Sequence, residues 1–305
     1  MINYSIIIPH KNSIKSLLRL CDSIPNNDDI QVIIIDDNSD IEVVKQLQDI
    51  ELNNNIEIFF SDISKGAGGA RNIGLSKAKG KWILFADSDD YFSNNFSGLI
   101  KKYRDSECDI IYFGTDSVTS ESKRSYRHKR YMKLVVDYLD DKNKEDALKY
   151  YFTPPWGKMI SRELIKKNKI KFDEVIASND VMFSLQLASV TNKISGTDEV
   201  LYIITLSKGS ITNIISINHF DSKFRTVLKA NNFLCSIRKK KYQQSVLYFV
   251  ARSYKFGFNY LLYVAKQLII NRSNLFIGIG KLLNLKETLS QRENKKYIIK
   301  EIENR

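Results

Sequence analysis

Lys81-Trp82-Ile83-Leu84-Phe85-Ala86-Asp87-Ser88-Asp89-Asp90 runs an unbroken apolar stretch into three carboxylates. Such a run reads as a strand buried on both faces, the mark of a parallel sheet covered by helices. The carboxylates then stand at the strand's C-terminal end, the edge where open α/β sheets bind ligands. Asp87 and Asp89 are two residues apart, so an extended backbone points both side chains the same way. Two carboxylates aimed at one point suit a hard divalent cation. A solvated acidic turn has the same composition, and this stretch alone does not separate the two.

Working outward, Tyr4-Ser5-Ile6-Ile7-Ile8-Pro9 is a β-branched run stopped by proline, a first strand. Ser13 is placed to cap a helix over 14–23. Gln31–Ile35 is a second buried strand, ending in Asp36-Asp37-Asn38-Ser39-Asp40. A helix over 41–50 and a strand over 56–60 follow. This βαβαβ rhythm predicts a Rossmann-like, mostly parallel sheet flanked by helices. Lys65-Gly66-Ala67-Gly68-Gly69-Ala70-Arg71-Asn72-Ile73-Gly74 then opens a helix to about 79, with Gly80 in the C-cap position. A glycine-rich helix entry points N–H groups at an anion. It also permits plain close packing, and the pattern is neither a Walker loop nor a dinucleotide fingerprint.

Downstream, helices are predicted over 96–103, 146–152, 161–168 and 180–190, with strands over 109–113 and 200–205. Thr115 to Lys133 is polar and reads as a long surface excursion. Thr153-Pro154-Pro155-Trp156-Gly157-Lys158 is a rigid turn. Asp180 opens its helix, where its charge complements the dipole.

Three cysteines (Cys21, Cys108, Cys235) and three histidines, all far apart, make neither a disulfide framework nor a zinc site. No signal peptide is visible, and no apolar run reaches the ~18–20 residues a spanning helix needs. Residues 216–305 hold 18 of 47 Lys and Arg but 5 of 35 Asp and Glu. The first 215 residues are thus near neutral and the last 90 carry +13, which sets the expected boundary. Within the basic region, Val246–Ile270 reads as one helix with Arg252, Lys255, Asn259 and Lys266 on one face and aromatics elsewhere. That suits the surface of an anionic bilayer. A helical appendage that merely packs on the first domain is the alternative, and no nucleic-acid motif accompanies the charge.

Taken in order, these pieces resemble the family 2 glycosyltransferases of GT-A fold. The match runs through Ser5–Pro9, Ile35–Ser39, Ala70-Arg71-Asn72-x-Gly74 to Gly80, and Phe85–Tyr91. Trp156-Gly157-Lys158, Phe172-Asp173, Asn179-Asp180 and Gly209-Ser210-Ile211-Thr212 are similar to the capsule and O-antigen branch. The resemblance implies inverting transfer from a nucleotide-sugar, usually a UDP-sugar, to a saccharide or polyprenyl-linked acceptor. It implies that Pro9, His10, Asp37, Arg71, Asp87 and Ser88 contact the nucleotide-sugar. Asp87 and Asp89 would hold Mn2+ or Mg2+, Asp180 would be the general base, and Trp156 and Lys158 would lie on the acceptor side. Two positions depart from the family pattern: Asn179 stands where Glu often precedes the base, and Lys11 stands where an aromatic is common.

The expected domains are 1–215, catalytic, with about 1–95 on the donor side and 96–215 on the acceptor side, and 216–305, basic and helical. The expected location is cytoplasmic, peripheral on the inner face of the cell membrane. Two other readings compete. A pyrophosphorylase-like transferase would want a Gly-rich loop where His10-Lys11-Asn12 stands. A non-catalytic sugar-nucleotide-binding scaffold would not need Asp37, Asp87, Asp89 and Asp180 together.

Overall fold

A computed structural model describes residues 2–50, 55–61, 64–206 and 216–277. The 209–212 motif and the last part of the basic region, 278–305, lie outside the described residues. The chain divides into two compact units, Met1–Val175 with Phe183–Ser207, and Ile176–Met182 with Lys208–Arg305.

The first unit is an α/β sandwich. Its strands are β1 (Tyr4–His10), β2 (Ile30–Asp36), β3 (Ile56–Phe60), β4 (Trp82–Phe85), β5 (Tyr91–Phe92), β6 (Ile110–Thr119), β7 (Lys158–Ser161) and β8 (Ile194–Leu206). They form one sheet in the order β3-β2-β1-β4-β7-β6-β8-β5. Only β7 and β5 run against the rest, so β1, β2, β4, β6 and β8 end at one edge. The helices α1 (Ile14–Asp22), α2 (Ile41–Asp49), α3 (Gly66–Lys77), α4 (Phe96–Lys102), α5 (Lys129–Asp140), α6 (Glu145–Tyr151) and α7 (Arg162–Lys167) flank it, with α8 (Asp180–Val190). The strand expected over 82–86 is buried along its whole length, as are β1 up to Ile8 and β2. Each such Ile, Leu or Phe side chain contributes roughly 1.5–3 kcal/mol by leaving water.

Two glycines explain how closely α3 and its exit lie on β1. A Cβ on Gly74 would run into Ile7 Cγ2, and one on Gly80 would stand 2.5 Å from the Tyr4 carbonyl carbon. Gly80 is therefore not the helix cap expected for it. The helix ends at Lys77, and Gly80 lets the chain pass against β1, donating its N–H to Ser5 Oγ at 2.9 Å. The polar stretch 115–133 is likewise shorter as a loop than expected. β6 pairs with β8 out to Thr119↔Leu206 and α5 begins at Lys129, leaving 120–128. In a strand only alternate polar residues need water: Asp116 is exposed, while Thr115 and Ser117 are buried.

The second unit contains α9 (Ile217–Ser236), α10 (Leu247–Ser253), a 3-10 turn at Tyr254–Phe256, and α11 (Phe258–Ile270). Phe220, Phe224, Phe249, Val264 and Leu268 are among its core residues. Residues 176–182 belong to it through Ala177, whose N–H and C=O both bond Ser222 Oγ (3.3 and 3.1 Å). The single helix expected over 246–270 is broken at Gly257, which adopts φ +93°. Arg252 and Lys255 precede the break and Asn259 and Lys266 follow it, so the expected basic stripe does not form. Phe249 and Phe256 turn inward instead, meeting Phe220 at 5.2 and 4.9 Å, while Tyr254 and Phe258 are exposed. No described helix is long and apolar enough to cross a membrane.

Candidate active site

The site is built where β1, β2 and β4 end. At the β2 exit Asp36 is buried. Its carboxylate accepts from Ser39 Oγ at 2.5 Å and Ser39 N–H at 3.0 Å, and pairs with His10 Nδ1 at 2.8 Å. His10 Nε2 accepts the Ser13 amide at 3.1 Å, which places the ring proton on Nδ1. His10 is 1 % exposed. Its ring therefore locks two strand exits together and offers no nitrogen to a ligand, a correction to its expected role at the nucleotide. Ser13 does stand at the N-cap of α1, but its hydroxyl meets Ser88 Oγ at 3.0 Å rather than capping the helix.

Asp37 accepts from Ser64 Oγ (2.7 Å), Lys65 N–H (2.8 Å) and Gly66 N–H (3.0 Å). The anion at the glycine-rich entry of α3 is thus an internal one, the Asp37 carboxylate. Pro9, half-buried, is register partner to Ile35.

The acidic turn after β4 is held from several sides. Asp87 Oδ1 accepts from Arg71 Nη2 at 2.5 Å, and the guanidinium lies 5.3 Å from the Phe172 ring centre. Arg71 is 6 % exposed while the Asp87 side chain is 35 % exposed, so the arginine approaches from inside and leaves the carboxylate open outward. Asn72, next to it, bonds both N–H and C=O of Phe172. Tyr202 Oη accepts the Asp87 amide at 2.8 Å and donates to Asp90. Asp90, buried, also accepts Thr205 N–H at 2.7 Å. Burial foremost, then the charges of Asp89 and Asp87, push its carboxyl well above the ordinary range. Arg19 Nη2 donates to the Asp89 carbonyl at 2.6 Å and to Thr205 Oγ1 at 2.9 Å.

Asp89 is half-buried, and among the described residues no other side chain hydrogen-bonds its carboxylate. Burial, then the Asp87 charge, push its carboxyl up to about 6. Two neighbouring carboxylates that repel each other are relieved by a cation between them. No cluster of three or more His, Cys, Asp or Glu able to hold a metal occurs among the described residues. Asp87 and Asp89 fit the sparser arrangement in which one or two carboxylates hold Mg2+ or a similar ion and phosphates and water complete its shell.

Trp156 and Lys158 do not face solvent, a correction to their expected place on the acceptor side. Trp156 is 5 % exposed and stacks on Tyr202 with ring centres 5.6 Å apart. Lys158 is 2 % exposed, and its Nζ donates to the Phe152 carbonyl at 2.6 Å. Trp156 thereby backs Tyr202 beneath the acidic turn. Asp180 opens α8, in the segment that groups with the second unit. Sequence reasoning missed Arg19, Thr205 and Tyr202. Nothing in the apolar run Leu201–Leu206 of β8 points to the last two.

Comparison with known proteins agrees with this geometry. The profile described as "Glycosyl transferase family 2" matches residues 5–168. The poly(ribitol-phosphate) beta-N-acetylglucosaminyltransferase TarS of Staphylococcus aureus is 25 % identical over 219 residues, 68 % of this chain and 36 % of TarS. The chain thus spans about a third of that relative. The cholesterol galactosyltransferase of Borreliella burgdorferi is 25 % identical over 271 residues, 81 % of this chain and 74 % of that protein. The crystal structure of TarS 1–349 with UDP-GlcNAc superposes with a TM-score of 0.62 at 18 % identity, covering 86 % of this chain and 79 % of that one. The Pyrobaculum calidifontis mannosyltransferase PcManGT, solved with GDP-Man and Mn2+, gives 0.53 at 13 % identity, covering 97 % and 81 %. The strand-end carboxylates, the sheet order and these matches lead to one conclusion: the chain belongs to glycosyl transferase family 2.

Proposed function

We propose that this protein transfers a sugar, with inversion, from a nucleotide-sugar to a hydroxyl of a saccharide or lipid-linked saccharide in surface polysaccharide synthesis. UDP is the favoured nucleotide, since the TarS structure was solved with UDP-GlcNAc. The observation that carries the reading is Asp87, 35 % exposed at the sheet edge and braced from within by Arg71, with the half-buried Asp89 two residues on. In this proposal Asp87 and Asp89 hold Mn2+ or Mg2+ against the donor diphosphate. The ion supplies Lewis-acid neutralisation of charge on the departing nucleotide. Asp37, Pro9 and Ser88 flank the nucleotide and Arg71 fixes the orientation of Asp87. The acceptor oxygen bonds the anomeric carbon as the bond to the diphosphate breaks, and the Asp180 carboxylate takes the acceptor proton. The basic second unit brings the enzyme to an anionic membrane surface on the cytoplasmic side, where lipid-linked acceptors lie.

A screen of UDP-, GDP- and TDP-sugars, scored by nucleotide release with Mn2+ and with EDTA, tests this. One donor should respond, and only with metal. Asp180→Asn should keep donor binding and lose transfer by ~10²–10⁴-fold, the usual contribution of a positioned base. Turnover close to wild type in that variant would remove Asp180 as the base. Donor binding without turnover in the wild type, across saccharide and lipid-linked acceptors, would favour the scaffold reading.

A further inference from the structure

Helix α11 carries two apolar faces, and among the described residues only one is covered. Val264 and Leu268 are buried in the core of the second unit. Phe258, Leu262, Ala265 and Ile269 follow at i, i+4, i+7 and i+11, the spacing of a single helical stripe. All four are exposed, Phe258 at 70 %, Leu262 at 52 % and Ile269 at 78 %. Just beyond the helix, Phe276 is 76 % exposed. Lys266 lies beside the stripe on α11, and Lys255 and Arg272 stand at either end of the helix.

The charge around this stripe selects its occupant. Residues 216–277 contain eleven Lys and Arg and one acidic residue, Asp221. Asp221 is already engaged by Arg225 at 2.6 Å and Tyr260 at 3.1 Å. A second copy of the chain would bring the same excess of positive charge to the same face. A nucleic acid would meet the charge but gain nothing from Leu262, Ala265 and Ile269, which have no π-face for a base. An anionic bilayer surface satisfies both features, with headgroups for the cations and the acyl boundary for the stripe.

We propose that the Phe258/Leu262/Ala265/Ile269 face of α11 inserts into the headgroup–acyl boundary of an anionic membrane. This rests on the membrane reading above and sharpens it: the contact is apolar insertion guided by charge, not adsorption by charge alone. The inward-turned aromatics of α10 and α11 take no part.

The test uses the full chain and vesicles of phosphatidylcholine with or without phosphatidylglycerol. Phe258→Ser/Leu262→Ser/Ile269→Ser should lower partition to the anionic vesicles by at least roughly tenfold, since three buried apolar side chains are lost. As an independent measurement, Leu262→Trp adds an exposed indole reporter, because Trp82 and Trp156 are both buried. Its emission should shift to the blue on anionic vesicles and be quenched by brominated acyl chains. Unchanged partition of the triple variant, or a reporter left unquenched on bound vesicles, would overturn the insertion while leaving charge-driven membrane binding intact. A reporter already blue-shifted without vesicles would mean the protein itself covers the face, which also overturns it. No binding of the wild type to anionic vesicles would overturn both.

Discussion

Asp87, Asp89 and Asp90 show how far residue type and spacing reach. That carboxylates close the strand was legible; that Ser88 and Asp89 form a turn closed by Asp90 N–H to the Asp87 carbonyl at 3.0 Å, not the extended backbone assumed, was not. Nor was the burial of Asp90. Nor were its partners: Thr205 and Tyr202 come from β8, more than a hundred residues on, and nothing in their neighbours announces it. Burial was equally hidden. His10, Trp156 and Lys158 have the residue types of a binding site, yet each is closed off by packing. Tyr202 is the residue on which this arrangement is most exposed to test. Tyr202→Phe keeps the ring against Trp156 but leaves the Asp87 amide without its acceptor and takes one of two donors, the other being Thr205 N–H, from Asp90. Stranding buried groups in this way costs about 1–3 kcal/mol. Urea unfolding should show a lower midpoint with an unchanged slope; an unchanged midpoint would mean neither bond matters to folding. His128 gives a second prediction. Burial lowers its pKa from the ordinary 6.5, against the opposing pull of Asp116. The unfolded chain therefore binds the proton more readily, so this histidine's contribution is complete above about pH 6.5 and is lost as pH falls through the folded value. Relative to His128→Gln, the wild type should lose stability between about pH 7 and pH 5, and parallel pH profiles would contradict this.

At the scale of elements, the βαβαβ rhythm, the buried strands and α3 were legible because hydrophobic period and length both pointed one way. The failures share a cause. Polar residues in 115–119 hid the extension of β6, since strand pairing with β8 satisfies what composition assigned to water. Gly257 hid in a long apolar run and split the expected helix. Gly80 was read as a cap when its function is close approach. Gly74 and Gly80 separate two kinds of close approach. Gly74→Ala would press on Ile7 Cγ2, a side chain that can be trimmed, whereas Gly80→Ala would press on the Tyr4 and Ser5 backbone. Overpacking costs typically about 1–3 kcal/mol. Both substitutions should destabilise. In an Ile7→Ala background, itself weaker by roughly 2–5 kcal/mol, Gly74→Ala should become nearly neutral while Gly80→Ala keeps its full cost. Equal costs in both backgrounds, read from a double-mutant cycle, would show that α3 shifts as a body instead.

For the whole molecule, the charge step near residue 216 was the one long-range feature readable from composition. It marked where the character of the chain changes, but it missed that 176–182 groups with the later residues, because Ala177 is held there by two bonds to one serine. The step also has an energetic consequence. Residues 216–277 carry eleven basic residues against one acidic residue. Like charges on one compact unit repel, and this repulsion opposes folding. In the first unit the acidic and basic residues nearly balance, and several are paired, as in Arg71–Asp87 and Lys102–Glu199. Exposed pairs such as the latter are worth little and weaken further in salt. Screening shortens from about 10 Å at 0.1 M salt to about 3 Å at 1 M. Added NaCl should therefore stabilise the second unit while leaving the first nearly unchanged. Hydrogen exchange at 0.05 M and 0.5 M NaCl reads the two separately, with amides of α9 and α11 gaining protection and those of β1 and β2 not. Slower exchange in the sheet strands alone would place the dominant repulsion at the acidic turn rather than in the basic helices.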